Sequence, residues 1–299
     1  MIRVYHNSFF AMGSRFNAVF PSNDEEVCEH IFNSIQHEVL RIESKLSYFY
    51  PGSEVNKINK TACKSSVKLD DELFTILETC MNYSEITFGA FDITLRPVIE
   101  NIEQNDKASA CAGQSHLHQI ELDRINKSVR FSSDEVKIDF GGFGKGYALE
   151  KIKLYLDNSP LENVFISFGE SSIYGKGRHP HGDCWTVGIK DFFNTNGSLH
   201  LFDLSDSAIS ISSNYYLNDS GELHSKVNVI NPLTGKPADG VSIAGVKSDS
   251  ALEAEILSTA FLVMEDAQIQ ETINMLKRTE AVKIRYSGIT PVKKFYNRT

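Results

Sequence analysis

Apolar residues recur at two different periods along the chain, and the switches between them predict its elements. Residues 1–20 alternate loosely between apolar and polar, the period of a strand or hairpin. From Asp24 to Leu46, Ile31, Ile35, Val39, Ile42 and Leu46 return every three or four positions, which predicts a long amphipathic helix. Pro51-Gly52 marks a turn, and Ser53 opens a short helix after it. Asp70 to Ser84 repeats the helical pattern, with Leu73, Ile76, Leu77, Cys80 and Met81 on one face, and Gly89 follows as a breaker. Residues 100–115 are polar and read as a loop, and 117–140 as paired short strands. Gly144 to Asn158 is a helix, and "NVFISFGE" after it a buried strand. Residues 174–232 read as a β meander split by Gly and Asn turns. "GVSIAGVKS" adds a strand, Asp249 caps a helix to about Met264, Asp266 caps another to Arg278, and "AVKIRYSG" is a last strand. Helices mixed with mostly antiparallel strands, without repeat or linker, predict an α+β chain with one domain over 1–299.

Composition narrows the classes. The chain has 299 residues, 41% of them hydrophobic, enough for a sizeable core. A net charge of −9 argues against a broad nucleic-acid surface, which needs a basic footprint. No run of apolar residues is long enough for a transmembrane segment. "MIRVYHNSFFAMGSRF" lacks the apolar core of a secretory signal and has no lipobox cysteine. As given, the sequence reads as cytoplasmic; removal of a leader would make it periplasmic or cell-envelope, and the two stay open. Five scattered cysteines, Cys28, Cys63, Cys80, Cys111 and Cys184, suggest free thiols rather than a disulfide framework.

The densest chemical signal is "KIDFGGFGKGYALEKI", residues 137–152, with four glycines between 141 and 146. A glycine loop between a strand and a helix lets another group approach the backbone, and the helix start offers free N–H groups to an anion. Lys145 in that first turn opposes the helix dipole, which suits an arriving phosphate. The loop matches neither a Walker A motif nor GxGxxG, and a tight turn packed on the sheet explains it equally well. Glu255 and Thr259, four apart on one helix face, are hard oxygen donors suited to Mg²⁺ or Ca²⁺, although such a pair alone is usually a solvated face. His179, His181 and Cys184 are metal-binding types at no zinc spacing. Tyr48, Phe49 and Tyr50 could stack on a planar ring, or belong to the core.

Seven stretches together resemble, in order, the motifs of the ApbE family, the FAD:protein FMN transferases: "AMGSRF", "SYFYPGSEVNKIN", "GAFDIT", "KIDFGGFGKGYALEKI", "VFISFGES", "VNVINPLTGKP" and "AEILSTAFLVM". The resemblance implies an ApbE-like fold of two intertwined lobes with the active site in the cleft between them. It implies Mg²⁺-dependent cleavage of FAD and transfer of FMN to a Thr or Ser hydroxyl of an acceptor flavoprotein domain, with AMP leaving. Carried over by position, Asp139 and Lys145 contact FAD. Met12, Phe49, Ala90, Phe91, Asp92 and Ile230 line the flavin and adenine pockets. The Gly142 carbonyl, Glu255 and Thr259 hold the metal.

The chain departs from the family pattern where the chemistry belongs. The family's histidine falls on Asn228 and its nearby aspartate on Asn231. The metal aspartate falls on Glu255, the second strand glycine on Glu170, and the S-G-D turn becomes "SSN", with Ser213 and Asn214. Asparagine is not a general base. His224, four residues before Asn228, is the candidate replacement. Two other readings stand beside transfer: an FAD-binding or nucleotide-binding homologue without it, and an FAD pyrophosphatase.

Overall fold

The structure is a computed structural model and describes residues 3–104, 115–194, 197–218, 220–226 and 228–299. The strands, in chain order, are β1 (Val4–Ala11), β2 (Ser14–Pro21), β3 (Val67–Lys68), β4 (Ile120–Asp123), β5 (Ser128–Phe131), β6 (Val164–Phe168), β7 (Ser172–Lys176), β8 (Trp185–Lys190), β9 (Ser198–Leu204), β10 (Ser207–Ser213), β11 (Tyr215–Leu217), β12 (Leu223–Ser225), β13 (Ile230–Asn231), β14 (Lys236–Pro237), β15 (Ser242–Ser248), β16 (Glu280–Ser287) and β17 (Thr290–Tyr296). The helices are α1 (Glu25–Leu46), α2 (Glu54–Thr61), α3 (Asp71–Ile86), α4 (Arg96–Gln104), α5 (Gly144–Asp157), α6 (Ala251–Phe261) and α7 (Asp266–Met275).

An eight-stranded antiparallel sheet in the order β1-β2-β6-β7-β10-β15-β16-β17 joins the beginning and the end of the chain. Its two faces are covered differently. Helices α1, α3, α5 and α6 bury Ile35, Leu77, Leu149 and Ile256 in one core with Ala208, Ala244 and Val246 of the sheet. On the other face, Trp185, Val187, Phe202 and Leu204 of the β8–β9 hairpin pack on Ile209, Ile243 and Ile284. Neighbouring residues such as Ala208 and Ile209 therefore point into different cores, which is why the central strands read as apolar without alternation.

The helix and strand expectations of the first half hold to within a few residues. Several details differ for physical reasons. Residues 174–232 are not a sequential meander, because β8 and β9 leave the main sheet to cover its far face while β7 pairs with β10. Helix α4 occupies the start of the stretch read as a loop; Pro97 sits in its first turn, where the missing N–H costs nothing. The rest of that loop, including Cys111, lies outside the described residues. Ser250 rather than Asp249 caps α6, its hydroxyl accepting from Glu253 N–H, and Glu265 rather than Asp266 caps α7 in a capping box with Gln268. These helices end at Phe261 and Met275, short of Met264 and Arg278. One further strand, β17, follows the one expected to be last. The described cysteines are free thiols. Among the described residues no helix is long and apolar enough to cross a membrane.

Candidate active site

The glycine loop is held in place by a side chain that mimics a strand. Buried Asn59, the last residue of the "SEVNKIN" stretch on α2, donates from Nδ2 to the Ile138 carbonyl at 2.9 Å and accepts the Ile138 N–H at 2.8 Å. Asp139 N–H then donates to the Ile93 carbonyl at 2.8 Å, fastening the "GAFDIT" segment alongside. The chain turns through Gly141 and Gly142 and enters α5 at Gly144.

Helix α6 brings in the second half. Glu150 of α5 caps its start, with Oε2 accepting from Ser250 Oγ at 2.9 Å and from Ala251 N–H at 2.7 Å, a carboxylate at a helix N-terminus. One turn before Glu150, Gly146 lies against α6 so closely that a Cβ there would stand 2.4 Å from Glu255 Cβ. A Cβ on Gly142 would likewise stand 3.6 Å from Thr259 Oγ1. The two helices therefore bring the glycine loop onto the same face of α6 that carries Glu255 and Thr259.

Glu255 is buried among polar partners. Its Oε2 accepts from Ser172 Oγ at 2.5 Å and Ser210 Oγ at 2.9 Å, and its Oε1 faces Lys145 Nζ at 3.4 Å. Lys145 also donates to Ser171 Oγ at 2.5 Å and Ser172 Oγ at 3.1 Å. Ser212 bridges Ser258 at 2.8 Å and Thr259 at 3.4 Å. Ser171, Ser172, Ser210 and Ser212 come from the turn before β7, β7 and β10, and Ser258 from α6; a sequence scan for charged or metal-binding types passes over them, because a hydroxyl becomes informative only when it meets a carboxylate.

Around this centre lies a cleft of about 290 Å³. It is lined by Ala90, Phe91, Asp92, Asp139, Gly142, Lys145, Asn228, Ile230, Glu255 and Thr259, ten of the residues expected from the sequence. Burial raises the Asp139 carboxyl above its usual range, and the charge of Arg96 partly offsets this. Asp92 Oδ1 accepts from Thr94 N–H and Thr94 Oγ, both at 2.6 Å, while its buried Oδ2 has no protein partner. Arg96 and Lys226, absent from the sequence-based set, also line the cleft.

Three expected residues stand outside the lining. Met12 sits at the β1–β2 turn with φ +48°, its sulfur within 3.7 Å of where a Gly144 Cβ would be, so it flanks the loop without entering the cleft. Phe49 is 70% exposed, with the Arg96 guanidinium 4.9 Å from its ring. His224 lies on the β11–β12 hairpin, exposed; its ring stacks on Tyr216, and Nε2 meets Asn218 Nδ2 at 3.0 Å and Glu222 at 3.7 Å. No histidine is among the cleft-lining residues described. His179 packs edge-on against Trp185 at 5.1 Å, and among the described residues no group of three His, Cys, Asp or Glu side chains could hold a metal.

Comparison with known proteins follows the same outline. The FAD:protein FMN transferase of Chlamydia trachomatis is 24% identical over 261 residues, covering 82% of this chain and 80% of its own length. That of Escherichia coli K12 is 24% identical over 282 residues, covering 88% and 79%. Among solved structures, the ApbE protein of Thermotoga maritima superposes with a TM-score of 0.81 at 24% identity over 98% of this chain and 97% of that one. The apo flavinyl transferase ApbE of Pseudomonas stutzeri gives 0.81 at 19% identity over 99% and 95%. The expected α+β ApbE fold is thus the observed one. The ApbE family model matches residues 12–283, a span running from the β1–β2 turn through the glycine loop and α6 into β16, and the chain accordingly belongs to the ApbE family.

Proposed function

We propose that this chain cleaves FAD and passes FMN to a Ser or Thr hydroxyl of a partner flavoprotein. The observation that carries the reading is the convergence of the glycine loop, Lys145, Glu255 and Thr259 on one cleft in a member of the ApbE family. Its relatives are named for that activity. In the reaction, the acceptor oxygen bonds to the FMN-side phosphorus and the bond from that phosphorus to the bridging oxygen breaks. The bridging oxygen leaves on AMP, and the hydroxyl proton passes to solvent or to a base.

The donor set suits a hard divalent cation. Glu255 Oε1, Thr259 Oγ1 and the Gly142 carbonyl are all oxygens, favouring Mg²⁺ or Ca²⁺ over Zn²⁺. These three residues would hold the ion, and when bound it supplies charge neutralisation at the pyrophosphate. Ser172 and Ser210 hold Oε2, which fixes the longer glutamate arm and leaves Oε1 with Lys145 Nζ at 3.4 Å as its neighbour. Lys145, beside the N-terminus of α5, places a positive charge where an anionic group would enter.

The lining without a histidine favours a second reading, in which FAD is bound or hydrolysed with little transfer. One incubation separates them: purified protein with FAD, Mg²⁺ and an acceptor flavoprotein domain. Transfer gives AMP and covalent flavin in equal amounts. AMP without covalent flavin identifies a pyrophosphatase, and bound FAD with neither product identifies a binding protein.

A further inference from the structure

Lys226 is a cation in the cleft that no motif of the family resemblance accounts for. It lies between β12 and β13, partly buried, and lines the same cleft as Gly142, Lys145 and Asn228. Its backbone is fixed: its N–H donates to the Asn214 carbonyl at 2.8 Å. Asn214 is itself buried, its Nδ2 donating to the Gly240 carbonyl at 2.6 Å and its Oδ1 accepting from Ser242 N–H at 2.8 Å.

The other cations of the cleft have acidic partners. Lys145 faces Glu255 at 3.4 Å, and Arg96 pairs with Glu100 at 3.0 Å. Among the described residues, no carboxylate lies within the 4.0 Å ion-pair distance of Lys226. Burial, and then the like charge of Lys145, push its ammonium below the usual lysine range. A partly buried ammonium beside a second lysine is unfavourable unless an anion joins them, and a pyrophosphate carries the charge to do so.

We propose that Lys226 is a second phosphate-binding residue of this cleft, acting with Lys145 on the pyrophosphate of a bound dinucleotide. The inference rests on the FAD reading above. An ammonium on that anchored backbone would also meet the charge that develops on phosphate oxygens during phosphoryl transfer, which is where cations placed in advance are most effective.

Fluorescence titration of FAD, and of riboflavin as the phosphate-free flavin, into wild type, Lys226→Gln and Lys226→Arg tests it. Losing a charge-assisted contact is expected to weaken FAD binding by roughly 10- to 100-fold in Lys226→Gln. Riboflavin affinity should stay unchanged, and Lys226→Arg should recover most of the loss. A second measurement uses the wild type alone: inorganic pyrophosphate should slow amine acetylation at Lys226, read by peptide mass spectrometry. FAD binding undiminished in Lys226→Gln, equal losses for FAD and riboflavin, or acetylation indifferent to pyrophosphate would overturn the role of Lys226. A wild-type protein that binds neither FAD nor pyrophosphate would remove the FAD reading and this inference together.

Discussion

Asn228 puts a neutral amide in the cleft, at the position where the resemblance to the family motif implies an imidazole. An amide takes no proton near neutral pH, so the acceptor hydroxyl has less help in losing its own. Positioning and electrostatic effects persist without it, which predicts slow transfer rather than none. Asn228→His should therefore speed FMN transfer by about 100-fold, the lower end of what a positioned base contributes. His224 sits on an exposed hairpin with Tyr216, Asn218 and Glu222 for neighbours. His224→Ala should accordingly change the rate by no more than about twofold, the usual scale of a surface substitution. Both are read from the time course of flavin fluorescence in denaturing gels. Loss of transfer in His224→Ala would show that the hairpin folds over the cleft during turnover.

The proposed chemistry needs the contact between helices α5 and α6, which brings the glycine loop to Glu255. Gly146 is the position that permits it, since a Cβ there would meet Glu255 Cβ at 2.4 Å and the Ala251 carbonyl at 2.9 Å. Backbone cannot move aside cheaply, so Gly146→Ala should separate the helices and destabilise the fold by about 1–3 kcal/mol, the range for overpacked cores. The displaced atoms belong to Glu255, so AMP release per folded molecule should fall as well. Gly144→Ala is the control: its nearest neighbour is the flexible Met12 sulfur at 3.7 Å, an ordinary contact. Thermal melts together with AMP release distinguish the two variants. Equal behaviour would mean that the helix contact does not position Glu255.

Across the molecule, a cluster of charges ties helices α1, α3 and α5 together. Glu72 of α3 accepts from Arg41 of α1 at 2.7 and 2.8 Å and from Tyr147 of α5 at 2.8 Å, with Lys45 of α1 at 3.2 Å. Hydrogen bonds from Arg41, and then from Tyr147 and Lys45, outweigh burial and lower the Glu72 carboxyl from 4.5 to about 2. A carboxyl whose folded pKa is depressed stabilises the fold above its unfolded value, and that stabilisation is lost as pH falls through the folded one. The advantage of wild type over Glu72→Gln should thus be full at pH 7, begin to shrink below about 4.5 and nearly vanish near 2. Urea unfolding of both proteins across that range measures it. A difference independent of pH would show that Glu72 acts through shape and hydrogen bonding rather than charge.

Local signals were enough for most elements. The three- and four-residue spacing of Ile31, Ile35, Val39 and Ile42 can bury one face only as a helix, so α1 was legible from its side chains. The glycine loop was legible because few positions tolerate so little side chain, and the order of the motifs along the chain was enough to point to the family. Other features were decided by contacts between distant residues. Helix α4 ran into a stretch that reads as a loop because it is polar, and its small apolar face, Val98 and Ile102, shows its purpose only against Ile230, far away in sequence. The destination of β8 and β9 depended on the apolar far face of the sheet, which no local period reveals. The role of Asn59 depended on Ile138, 79 residues later in the chain. Asn228 and His224 look equally available four residues apart in sequence, and only the hairpin geometry separates them. Periodicity is written between neighbours along the chain and can be read there. A site is a set of distances between residues far apart in it, and those exist only once the sheet and helices have packed.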